Sequence, residues 1–470
     1  MRIGGLVIVL ATVSTIDFNV SPRAQVGLRL GGTAVQAEDW PQWMGPRRDN
    51  HWRQSGLLEV FPDDGPRRVW SAKIAGGYSG AAVAEGKVYV TDYLPKNQID
   101  DPQFDANTFS GLERVWCLDR RSGKTIWMHA YPVNYGISYP AGPRCTPLVE
   151  GEKVYTLGAE GHLLCLETTT GRVRWRKHFA ADYGAKTPTW GYAGHPLIDG
   201  DRLICIVGGS GSHVVAFDKH DGSELWRSLS STLQGYVPPL IIEYGGQRQL
   251  ILLHGDAMES VSIDDGQRYW SVPYQADYGS IIMTPIHVGN LLYAGGFNNR
   301  NLMVQLSETS PDARLLWQDQ RQSALSAVNV QPFVADGIMY GFDQSGWMHA
   351  VDFASGKRLW QTTEPIDGGR PGKSATAFII RQQAEPESQT SLAGRYWLFN
   401  ERGELLIANL TPEGYHEIDR AKVIQPTNSA YGREVVWSAP AWSDGQVFLR
   451  NDQEVICVEL RAASADRLKK

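Results

Sequence analysis

Val115-Trp116-Cys117-Leu118-Asp119-Arg120-Arg121-Ser122-Gly123-Lys124-Thr125-Ile126-Trp127 and, far downstream, His349-Ala350-Val351-Asp352-Phe353-Ala354-Ser355-Gly356-Lys357-Arg358-Leu359-Trp360 are two copies of one phrase. Each runs from an apolar strand through an acid and a polar turn to a glycine, with a tryptophan four residues later. The carboxylate can accept N–H groups of its own turn, and glycine supplies positive φ without steric cost. The phrase recurs at residues 167–171 before Trp175, at 218–222 before Trp226, and at Gly266 before Trp270. Trp317 and Ile418 take the tryptophan's place in two degenerate copies. From Trp127 to Ile418 the steps are 48, 51, 44, 47, 43 and 58 residues. That spacing is one four-stranded propeller blade, roughly 40–50 residues.

Working outward, each phrase is preceded by a second strand resembling Gly-x-Val-Tyr-Val. Eight such strands are expected, at 87–91, 153–157, 202–207, 249–253, 291–294, 338–342, 396–400 and 446–450. The last blade, 435–460, lacks an outer tryptophan strand, whereas Pro66-Arg67-Arg68-Val69-Trp70-Ser71 is an outer strand with no blade before it. Pairing the two closes the ring and removes an open sheet edge. The expected fold is all-β, an eight-bladed propeller closed by an N-terminal outer strand. Residues 94–112 read as an insertion in blade 1 and 382–394 as a polar loop in blade 7. The domain plan is an export signal at 1–37, an N-terminal extension at 38–65, the propeller at 66–460 and a charged tail at 461–470.

Composition agrees with short strands and many tight turns: 49 Gly and 16 Trp among 470 residues. The net charge is −6, without a basic stripe, which argues against nucleic acid as a partner. Arg2 before the apolar run 3–13, with Val35-Gln36-Ala37 as a cleavage site, predicts export; the run is too short to span a bilayer. Five widely spaced cysteines form no disulfide framework. Cys117, Cys165 and Cys457 stand two residues before the acid, where other copies carry Ala216, Ser260 and Ala350, so they read as small buried hydrophobes.

The phrases ending at Trp127 and Trp360 resemble the tryptophan-docking repeat of the quinoprotein alcohol dehydrogenase-like superfamily. That superfamily includes dehydrogenases that use pyrroloquinoline quinone (PQQ), and the propeller lipoprotein of the outer-membrane β-barrel assembly machine, which carries no quinone. Asp39-Trp40-Pro41-Gln42-Trp43-Met44-Gly45-Pro46 and Trp190-Gly191-Tyr192-Ala193-Gly194-His195-Pro196 are similar to exported PQQ-like repeat proteins of planctomycete-type bacteria. The dehydrogenases of the superfamily carry adjacent cysteines over the quinone, a Ca²⁺ held by Glu and Asn, and an Asp base. This chain has no adjacent cysteines.

No catalytic or metal-ligating set is expected. H-E-x-x-H, G-x-S-x-G and a phosphate-binding loop with Lys are all missing. His178, His213 and His349 fall beside strand ends and read as solvated rings. The candidate ligand-binding residues are Arg144, Lys186, Trp190, His195, His254 and Arg433, which the repeat frame places around one channel mouth. Polar turn residues such as Asp343, Asn400 and Asn451 fall on the same face. The functional expectation is an exported monomeric binding or scaffold propeller for a protein partner or a polar, carbohydrate-like small molecule. It needs no cofactor and does not span a membrane. The alternative is a PQQ- and Ca²⁺-dependent dehydrogenase of an alcohol or sugar.

Overall fold

The innermost strand of each blade is short and its neighbours longer, as in Ala82–Ala84, Lys87–Pro95, Phe109–Asp119 and Thr125–Tyr135 of blade 1. A computed structural model describes residues 38–97, 99, 108–370, 372–383 and 394–462. The expected export signal at 1–37 lies outside the described residues, as do part of the blade 1 insertion and most of the blade 7 loop and of the tail. Blades 2 to 6 begin at Leu148–Glu150, Leu197–Asp199, Leu240–Tyr244, Ile286–Val288 and Phe333–Ala335. Blade 7 begins at Ala377–Gln383 and blade 8 at Ala441–Ser443, giving eight antiparallel sheets. All eight second strands fall where the repeat places them. No helix among the described residues is long and apolar enough to cross a membrane.

The tryptophan does two things at once. Trp127 Nε1 donates to the Thr168 carbonyl of the next blade's turn at 2.9 Å, and Trp226 does the same to Ile263 at 2.9 Å. The ring meanwhile covers the turn glycine: a Cβ on Gly171 would lie 2.5 Å from Trp127, and one on Gly222 2.7 Å from Trp175. Glycine is thus required twice, for its positive φ (70° and 76°) and for the close approach of the ring. Directly across the sheet from Trp127, Trp175 and Trp70 stand Cys117, Cys165 and Cys457, each fully buried. All five cysteines are free and buried.

Arg68–Lys73 pairs antiparallel with Glu454–Glu459 and is the outer strand of blade 8. Its Trp70 docks on Gly123 of blade 1 and donates to the Arg120 carbonyl at 2.8 Å. Blade 7 differs from the expectation. A bulge between Ile407 and Ala408 pairs Ile407 with Asp419, so Asp419, not Ile418, holds the tryptophan's place. Its carboxylate accepts the Phe61 N–H at 2.6 Å, and the Phe61 ring packs on Trp397 at 5.9 Å. The N-terminal segment therefore uses the slot that a docking tryptophan fills elsewhere. The blade 1 insertion is in part a prolonged hairpin, since Leu94 and Pro95 pair with Leu112 and Gly111.

Before reaching Phe61, the N-terminal segment lies across the channel. Trp40 exchanges both backbone bonds with Val83 of blade 1 (2.9 and 2.8 Å), and the Pro41 carbonyl accepts from Val149 of blade 2 at 2.9 Å. Arg48 Nη1 donates to the Pro196 carbonyl beside blade 3 at 2.8 Å. His51–Arg53 then runs parallel to Ala377–Gln383 as a fifth, innermost strand of blade 7. Trp52 wedges against Trp397 and Trp442, with ring centroids 6.0 and 5.0 Å away.

Candidate functional site

The central channel holds a cavity of about 650 Å³. Trp40, Trp43, Met44 and Asn50 of the N-terminal segment line one end. Residues before the inner strands line the other, among them Tyr139, Arg144, Trp190, Lys373, Tyr431 and Trp437. A volume of this size suits a small molecule.

Three of the six sequence-predicted site residues meet there: Arg144, Trp190 and His195. Arg144 Nη2 donates to the Ser138 and Tyr139 carbonyls at 3.0 and 2.6 Å, and Nη1 donates to the Gly142 carbonyl. Its guanidinium lies 4.9 Å from the centre of the Tyr78 ring. Burial lowers its pKa, and among the described residues it forms no ion pair. Trp190 packs on Tyr236 at 5.5 Å. His195 stacks on Trp43 at 4.7 Å, while Arg48 sits 5.3 Å from the Trp43 ring. Desolvation first, and then the nearby Arg48 charge, hold the His195 imidazole down at about 3, so it is neutral at physiological pH.

The other three do not line the cavity. Lys186 is exposed on the preceding loop. His254 is buried: Nε2 donates to Glu259 at 3.0 Å, while Nδ1 accepts the Asp256 N–H at 3.2 Å, which uses up the ring. Arg433 is clamped by Glu401 through two bonds of 2.7 and 3.1 Å and also holds the Lys373 carbonyl. It fixes the hairpin that carries Tyr431 over the mouth.

The polar turn residues are also occupied. Asp343 Oδ1 accepts the N–H groups of Ser345 and Trp347. Asn400 and Asn451 cap their own turns in the same way. His213 and His349 are not solvated rings: both are buried, and His349 Nε2 bonds Asp343 at 3.0 Å. Sequence reasoning missed Trp40, Trp43 and Trp437. The first two stand in the quoted 39–46 stretch, but nothing local places that stretch inside the ring.

Charge is one-sided in the cavity. Its lining includes Arg144 and Lys373 and no Asp or Glu. Burial raises Tyr139 and Tyr236 to about 12 each, so both phenols stay neutral. A calcium-bound quinone needs carboxylate oxygens on the ion and a further carboxylate as general base. Among the described residues no three His, Cys, Asp or Glu side chains converge to hold a metal ion. The residues present do not fit that group.

Fold and cavity together define an eight-bladed quinoprotein-like propeller with a floored central channel. The chain belongs to the family described as outer membrane protein assembly factor BamB, which residues 111–362 match. It is 21% identical over 281 residues to outer membrane protein assembly factor BamB of Yersinia pestis, covering 55% of this chain and 65% of that one. It is 28% identical over 212 residues to the quinoprotein ethanol dehydrogenase of Pseudomonas aeruginosa, covering 42% of this chain and 28% of that one. The chain thus spans less than two thirds of either relative. Among solved structures, BamB from Moraxella catarrhalis matches with a TM-score of 0.51 at 15% identity, over 85% of this chain and 98% of that one. Quinohemoprotein alcohol dehydrogenase from Comamonas testosteroni matches with a TM-score of 0.58 at 12% identity, over 91% and 81%. At these identities the structures speak for the fold alone.

Proposed function

We propose that this chain is an exported envelope propeller that acts as a binding protein, with its ligand site in the floored central cavity. The single observation that carries this reading is the lining of the cavity, a volume of about 650 Å³ where aromatic rings and a guanidinium outside any ion pair converge. A channel comes with any propeller, but a scaffold that used only its outer surface would have no need of rings and a guanidinium gathered inside it. The relatives add that an assembly factor and two oxidoreductases share this architecture, and architecture does not choose between them. The choice rests on the lining, which favours binding over metal-assisted oxidation. Export follows from the 1–13 and 35–37 segments; cleavage after Ala37 would leave Trp40 and Trp43 attached.

The test starts with protein recovered from the envelope fraction, whose expected mature N-terminus is Glu38. Native mass spectrometry of that protein should find a small molecule bound one to one. Ala193→Phe, which fills the cavity from its wall, should lose the ligand while keeping the parent's Tm within a few degrees. A ligand retained by the filled variant overturns the cavity as the site.

A further inference from the structure

We propose that the cavity takes a ring compound bearing an anionic group, held without a metal ion. This rests on the cavity being the binding site and names the class of molecule that it selects.

The first argument is charge. Arg433, Arg114 and Arg300 each face carboxylates at 3.1 Å or less. Arg144 differs: three of its five N–H groups go to carbonyls of its own loop, two remain, and no carboxylate stands within ion-pair distance among the described residues, Glu113 acting on it only from farther off. Lys373 reaches the same cavity, its ammonium 5.1 Å from the Tyr431 ring centre, and is exposed. A desolvated cation left without a counter-charge is costly, and buried charges are normally paired. Arg144 leaves that pairing to the occupant, and Lys373 adds a second, solvated cation at the mouth.

The second argument is shape. Tyr139, Tyr278 and Tyr431 line the cavity in the left-handed backbone region, with φ of 54°, 59° and 50°. For bulky residues this is a genuine outlier, and such strain gathers at ligand clamps. The strain presents rings that the fold does not cover: Tyr278 is 76% exposed and Tyr431 42%. At the other end Trp43 is fixed between His195 and Arg48. Rings at both ends of the cavity, with cations at the mouth, suit a flat or ring-shaped body carrying a negative group.

Two sources offer that chemistry, an aromatic carboxylate and a sugar acid. Calorimetry on the full chain should compare 2-naphthoate with its neutral amide, and galacturonate with galactose. In at least one pair the acid should bind roughly ten- to a hundredfold tighter than its neutral partner, and the pair that does identifies the source. Arg144→Gln should erase the preference. Because Arg144 also ties its loop, Lys373→Gln serves as the second variant; its side chain is exposed, so the fold should be untouched and the preference reduced. Binding without preference for the acid in either pair, still lost in Ala193→Phe, overturns the anion selection and leaves the cavity reading standing. No saturable binding by any of the four, or binding unaffected by Ala193→Phe, overturns both.

Discussion

Gly171 shows how narrowly one residue can be specified. A methyl group there must enter the Trp127 ring and hold φ at 70°. Gly171→Ala is expected to cost about 2–4 kcal/mol in denaturant unfolding, because overpacking and left-handed strain add. Gly86→Ala, with φ 74° and nothing within 4 Å, should cost about 1 kcal/mol. The histidines carry a second residue-scale consequence. Desolvation, and then His254, hold His213 at about 3; desolvation, and then His178, hold His162 at about 4; His195 is at about 3. An unfolded imidazole titrates near 6.5. Above that pH both states are neutral and nothing is lost. As pH falls, the unfolded chain takes protons that the folded one refuses, so stability declines from about 6.5 down to the folded values. The carboxylate Glu167, held down to about 2 by Arg172 and Thr170, enters only below its own ordinary value of 4.5. Denaturation midpoints should therefore drop between pH 7 and pH 5, and His213→Leu should make the drop shallower. A drop of unchanged slope would mean that His213 carries its charge when buried.

At the scale of elements, the strand Arg68–Lys73 was legible because it carries its own tryptophan, which marks it as an outer strand wherever it falls in the chain. Removing residues 38–74 should expose the edge of Glu454–Glu459 and give a poorly soluble protein. If the truncated form keeps the parent's solubility and Tm, that pairing does not govern stability. The path of residues 38–53 was not legible. It touches blades 1 and 2 through one or two backbone bonds each before three residues pair with blade 7, and such contacts leave no periodicity to read. Blade 7 misled in a related way: its bulge is the one the other blades carry, but its turn is longer, so Ile407 pairs with a residue 12 positions on (419 − 407) where Cys117 pairs with one 10 on (127 − 117), and Asp419 stands where Ile418 was expected. The polar turns misled by composition: Asn400 and Asn451 look like a recognition surface and are spent on their own backbones.

Across the whole molecule, the repeat determined the ring, and the ring brought Arg144 of one loop together with Trp190 and His195 of the next blade's loop. It could not distinguish them from His254 and Arg433, whose chemistry is the same and whose carboxylate partners are found only in three dimensions. The pairing of Lys73 with Glu454 also bears on how the protein is made. Contacts this distant along the chain form slowly, because a very long loop must close first. Blades 1 to 7 have all their outer strands before residue 423, but the eighth waits until the residues through 459 have left the ribosome and found an N-terminal partner. The stretch just upstream of that partner floors the cavity. With the cavity as the proposed site, affinity is expected to be acquired at the last step of folding, and a chain interrupted short of blade 8 is expected not to bind.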